Sequence, residues 1–110
     1  MQIGSEEHKA QYFQDLLKTM RENIYFGEFQ VWTIKQSLEK LQADKAEAEG
    51  KLERKEFESA GEGRKEIQRI NEMIQNFLMQ QAGIEDQNKM LENRIIEMGE
   101  YVKGWKTAKI

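Results

Sequence analysis

Apolar side chains recur along this sequence at alternating spacings of three and four residues. In the first half the series runs Ala10, Phe13, Leu17, Met20, Ile24, Gly27, Val31, Ile34, Leu38, Leu41, Lys45, Ala48, Leu52. In the second half it runs Ile67, Ile70, Ile74, Phe77, Gln81, Ile84, Asn88, Leu91, Ile95, Met98, Val102, Trp105. This rhythm belongs to helices that bury one stripe against a partner helix. A strand would alternate every second residue, and no segment does so. Only Gly27, Lys45, Gln81 and Asn88 interrupt the apolar character.

Between the two series lies Glu58-Ser59-Ala60-Gly61-Glu62-Gly63-Arg64. Two glycines two residues apart are the strongest break in the chain, and Ser59-x-x-Glu62 fits a capping box that would start a new helix. The pattern predicts helix 1 over about 5–57, a turn at 58–63 and helix 2 over about 64–106, in one helical-hairpin domain spanning 1–110. Ser5, followed by Glu6 and Glu7, is the expected N-cap of helix 1, because acids favour the positive end of a helix. Asn23-Ile24-Tyr25-Phe26-Gly27 is a weak helical stretch, since glycine inside a helix costs ~1 kcal/mol. The unbroken seam favours a continuous helix there over a separate N-terminal helix of residues 5–22.

In an antiparallel pair, the numbers of facing residues have a constant total. The two seams match at 122, pairing Leu52 with Ile70, Ala48 with Ile74, Leu38 with Ile84, Val31 with Leu91, Ile24 with Met98 and Leu17 with Trp105. That register centres on Gly61 and sets Ile34 against Asn88 and Leu41 against Gln81. A buried amide at such a position costs stability and can fix register or oligomer state. The expected fold class is all-α: a long antiparallel helical hairpin of coiled-coil type, associating into a larger helical bundle.

Composition narrows the function classes. The chain has 110 residues, 34% of them charged, with no proline and no cysteine. Without proline nothing forces a kink, and without cysteine there is neither a disulfide nor a thiolate metal site. The net charge of −3 argues against a nucleic-acid binder, which usually carries a basic excess. No run of 18 apolar residues is present for a membrane span. The segment Met1–Glu7 lacks the basic start and apolar run of a secretory signal. The expected location is the cytoplasm, or a particle assembled there.

Candidate chemistry is sparse. His8 is the only histidine, and with no second His or Cys it reads as a solvated side chain. Gly61-x-Gly63 has neither a preceding strand nor a following G-K-[ST], so it is not a phosphate loop. The carboxylates interleave with lysines and arginines, as in Glu47 with Lys51, and read as a solvated helix face. The chain is therefore expected not to be an enzyme, with no metal, no cofactor and no small-molecule substrate.

The informative feature is an asymmetry. About half of the charged residues crowd into residues 35–72, whereas Tyr12, Phe13, Tyr25, Phe26, Phe29, Trp32, Tyr101 and Trp105 lie outside the stretch 35–72, at the other end of the hairpin. Phe13 and Trp105 fit the seam; the heptad places Tyr12, Tyr25, Phe26, Phe29 and Trp32 facing away from helix 2. A two-helix hairpin covers only one stripe of each helix, so the face around residues 25–32 leaves large rings exposed. The residues expected to bind a partner are Tyr12, Tyr25, Phe26, Phe29, Trp32, Tyr101 and Trp105. Their cover is another copy of the chain, a larger protein, or a folded-back N-terminal helix. Outward Met79, Met90 and Ile96 on helix 2 suit the first two, because methionine adapts to varied surfaces.

The shape invites comparison with two families, but prefoldin subunits carry a β-rich segment between their helices that is absent here. The small WXG hairpins carry Trp-x-Gly at the turn, whereas Gly104-Trp105 lies at the far end. No family is assigned. The function expected is that of a structural or assembly protein, a hairpin that self-associates through its aromatic end as a scaffold or as a subunit of a larger assembly, cellular or viral. The alternative is a small regulator, chaperone or inhibitor that lays its aromatic face on a larger partner protein.

Overall fold

The structure is a computed structural model that describes residues 6–107, with side chains from Glu7 to Gly104. It contains two helices, α1 (Glu6–Glu53) and α2 (Ala60–Thr107), and no strand among the described residues. The expected cap at Ser5 lies outside the described residues. The weak stretch at Asn23–Gly27 does not interrupt α1, which runs unbroken from Glu6. No separate N-terminal helix therefore folds back over the chain within the described residues.

The helix boundaries differ from the expected ones by about four residues on each side of the turn. Helix α1 ends at Glu53 rather than near 57, and α2 begins at Ala60 rather than near 64. The turn is made by a non-glycine residue: Lys55 has φ 58°. Around it, the Lys55 N–H donates to the Leu52 carbonyl at 3.2 Å and the Glu56 N–H donates to the Lys51 carbonyl at 2.9 Å. These two bonds form the Schellman motif, in which a left-handed residue closes a helix and satisfies its last carbonyls. Arg54 hydrogen-bonds Glu56 across this turn, Nε to Oε1 at 2.7 Å. That bond is the main cause of the Glu56 carboxyl lying below its ordinary pKa and the Arg54 guanidinium above its own.

Ser59 then caps α2. Its hydroxyl oxygen accepts the Glu62 N–H at 3.2 Å, and its carbonyl accepts the Gly63 N–H at 3.3 Å. Gly61 and Gly63 thus lie inside the first turns of α2, not in the loop. Gly63 serves close packing: a methyl group there would stand 2.7 Å from Leu52 Cδ1 and 2.8 Å from Phe57 Cδ2.

Packing divides the chain into two units, Gln30–Ile84 and Met1–Phe29 with Glu85–Ile110. The first unit holds the turn and a core of Leu41, Ala48 and Ile70, against which Phe57, Ile67, Ile74 and Phe77 pack. Ile34 and Leu38 are also buried in that unit. In the second unit Ile24 and Met98 are buried, and Gly27 is buried beneath the side chain of Asn88. Nearly every predicted seam position is buried or half-buried; Ala10 is exposed, and the Trp105 side chain lies outside the described residues. Among the described residues no large side chain is fully buried. Each unit therefore buries a narrow stripe rather than a filled core.

The helices are antiparallel, but their register is one heptad away from the expected one. Asn88 lies on Gly27, not against Ile34: its Cγ would be 2.9 Å from a methyl group at Gly27, with Oδ1 closer still. Its Nδ2 donates to the Ile24 carbonyl at 3.4 Å. In the other unit Leu52 meets Gly63. Both pairs total 115 rather than 122, a slide of about 10 Å at 1.5 Å per residue. The reason lies in two of the four interruptions of the seam, Gly27 and Asn88. A total of 115 fits the amide of Asn88 into the hole left by Gly27. A total of 122 would bury that amide against Ile34 and leave the hole facing Ile95. An unmatched buried amide costs about 1–3 kcal/mol, which decides between two registers whose apolar pairs are otherwise alike.

Candidate functional site

Pairing consumes one stripe of each helix, and the residues on the opposite side of α1 are left to solvent. Tyr25 is 63% exposed, Phe26 60%, Phe29 60% and Trp32 58%. At 3.6 residues per turn, Tyr25, Phe29 and Trp32 fall within an arc of about 60° on the side away from the seam; Phe29 lies opposite the seam, with Tyr25 and Trp32 to one side of it and Phe26 to the other. Since α1 is continuous through this region, the grouping follows from helical spacing alone. Charged residues border the rings on the same helix: Arg21 and Glu22 before them, Glu28 and Lys35 along one edge, and Glu39 and Lys40 after them, all exposed.

Tyr12 and Tyr101 are also exposed, but the structure sets them in a different group. Phe13 is half-buried in the seam. Tyr12 meets it edge-on with ring centroids 5.5 Å apart, and Tyr101 reaches it from α2 at 5.6 Å. Such ring pairs contribute about 0.5–1.5 kcal/mol beyond their buried area. Tyr12 and Tyr101 thus share a cluster around Phe13, at least twelve residues along α1 from Tyr25. Of the seven residues expected to meet a partner, four lie around the outer face of α1 and two in this cluster. The seventh, Trp105, has its side chain outside the described residues.

On α2, Met79, Met90 and Ile96 are exposed, as their positions in the heptad imply, and Leu78 and Met73 are exposed as well. Met73 and Phe77 line a groove of about 620 Å³ in the charged half of the chain, with Leu41 and Ile70 also in its lining and Lys40, Asp44 and Arg69 among its charged residues. Sequence reasoning passed over this groove, because the charge density there suggested a surface needing no cover. The signal that could have found it is Met73, an apolar residue just outside the seam. Arg69 is held by Glu66, Nη2 to Oε1 at 2.6 Å, which lowers the pKa of the Glu66 carboxyl and raises that of Arg69.

His8 is an exposed residue near the start of α1, and no group of three or more His, Cys, Asp or Glu is placed to hold a metal among the described residues. No described helix is long and apolar enough to cross a membrane. What the surface offers is area: large rings on one continuous helix, bordered by charges of both signs. No protein family, characterised protein or solved structure matches this chain.

Proposed function

We propose that this chain is a non-enzymatic assembly protein that associates with further copies of itself through the outer aromatic face of α1, as a scaffold or subunit of a larger particle in the cytoplasm. The observation that carries this reading is the exposure of Tyr25, Phe26, Phe29 and Trp32 on one helix. A large ring buries about 150–250 Å² when fully covered, so each of these leaves about 100–150 Å² in water. At about 25 cal/mol per Å² that is roughly 3 kcal/mol per ring. Four rings from each of two chains are a large apolar area to set against the cost of association, and how much of it becomes affinity depends on how well the rings pack. Tyrosine and tryptophan are also the side chains that most often anchor interfaces.

The test is molar mass in solution by light scattering, with helicity followed by circular dichroism. The chain should run as a defined multiple of its 13.0 kDa mass. Trp32→Ala or Phe29→Ala should weaken association by about 2 kcal/mol or more while helicity is kept. A monomer at high micromolar concentration would overturn self-association. It would favour the second reading, a small regulator or inhibitor docking on a larger protein, for which exposed Met79 and Met90 supply adaptable contacts.

A further inference from the structure

Methionine carries all the sulfur of this chain: there are six methionines and no cysteine. A hydroperoxide that reaches the protein therefore meets thioethers with no thiolate competing for it. The fold separates the described methionines by exposure. On α2, Met79 is 72% exposed and Met90 70%. Met73 is 37% exposed, and its sulfur accepts a hydrogen bond from Arg69 Nη1 at 3.4 Å. In the seam, Met20 is half-buried and Met98 is only 8% exposed.

We propose that Met79 and Met90 are sites of reversible oxidation to the sulfoxide by a hydroperoxide, and that the seam shields Met98 from the same reaction. The proposal does not rest on self-association through α1; it needs only that the outer side of α2 stay open. The sulfur lone pair attacks the terminal peroxide oxygen. The S–O bond forms as the O–O bond breaks, the sulfur gives up two electrons, and the peroxide is reduced. The departing oxygen takes the proton of the transferred one, so hydrogen peroxide leaves as water and the side chain as a sulfoxide.

The consequence depends on where the new oxygen stands. A sulfoxide is polar where the thioether was apolar. At Met79 and Met90, which lie outside the seam, it remains in water. The hairpin keeps its buried stripe, and α2 exchanges two adaptable apolar side chains for polar ones. At Met98 the oxygen would enter the apolar stripe, where a polar group without a hydrogen bond is unfavourable. Oxidation there opens the unit that buries Ile24 and Met98. Met73 is a third case, because the Arg69 N–H engages the sulfur lone pair that would attack the peroxide. It reacts more slowly than its exposure alone implies.

The test is dilute hydrogen peroxide at neutral pH, with peptide mass mapping over time and helicity followed by circular dichroism. Met79 and Met90 should each gain one oxygen about tenfold faster than Met98, in line with their exposure, while helicity is unchanged. A methionine sulfoxide reductase should then remove both oxygens. Longer treatment should oxidise Met98 and lower helicity in step. Met98→Leu keeps the seam apolar and should hold its helicity under that treatment. Arg69→Ala should quicken oxidation of Met73 and leave Met79 unchanged. Slow reaction at Met79 and Met90 would mean that the outer side of α2 is covered, and the proposal fails. It fails equally if oxidation of these two alone lowers helicity, or if Met98 reacts as fast as they do in the folded chain. Loss of helicity in Met98→Leu at the natural rate would overturn the role given to Met98.

Discussion

A single added methyl group should have opposite effects at three glycines of this chain. Gly27, Gly83 and Gly99 all lie inside helices, where glycine costs roughly 0.5–1 kcal/mol relative to alanine. At Gly83 and Gly99 a methyl group would meet nothing within 4 Å. Gly83→Ala and Gly99→Ala should each stabilise the chain by about that amount. At Gly27 the same group would stand 2.8 Å from Asn88 Nδ2 and 2.9 Å from its Cγ, nearer than real contacts allow. Asn88 must then swing away and give up its bond to the Ile24 carbonyl. A lost hydrogen bond costs about 0.5–1.5 kcal/mol, and forcing an extra methyl group into a packed site costs typically 1–3 kcal/mol. The helix-propensity gain offsets about 1 kcal/mol of this, leaving Gly27→Ala destabilising by roughly 0.5–3.5 kcal/mol. Urea unfolding followed by circular dichroism resolves differences of this size, and thermal midpoints should move by several degrees in opposite directions. If Gly27→Ala stabilises the chain as Gly83→Ala does, Asn88 does not occupy the space above Gly27, and the register derived from it is wrong.

Two further outcomes bear on the turn and the pairing. Cysteines at Ala48 and Ile67, which total 115, should be joined within one chain by a short thiol crosslinker, whereas cysteines at Ala48 and Ile74, which total 122, should react far more slowly; the reverse order on denaturing gels would restore the other register. Lys55→Gly should stabilise the chain by about 0.5–1 kcal/mol, because Lys55 sits at φ 58°, where glycine pays no steric cost; a loss of stability in urea would mean that the turn is not closed by a left-handed residue.

The turn was not legible because glycine has two uses. A glycine pair reads as a break on conformational grounds, yet Gly63 is needed for the close approach of Leu52 and Phe57, and the left-handed position is taken by a lysine. Among Lys51 to Ser59 no side chain marks which residue turns. The Schellman closure is a property of backbone hydrogen bonds that many residues can make. The Ser59 cap, by contrast, was legible, because its mechanism is local: a hydroxyl oxygen reaching an N–H three residues on.

The register error has a different origin, and it explains why the outer face was still placed correctly. A slide of one whole heptad returns every residue to the same side of its helix. Inner and outer positions on α1 are therefore identical at totals of 115 and 122, and the exposure of Tyr25, Phe26, Phe29 and Trp32 follows from either. What changes is the identity of each facing residue. The Phe13 cluster depends on that identity, because Tyr101 reaches Phe13 only at the shorter total. Periodicity alone cannot distinguish such slides; only the places where the period fails can. Gly27 and Asn88 are two such failures, one too small and one polar, and they are mutually complementary only when they face each other. In a chain built from repeats, the departures from the repeat carry the information about partners.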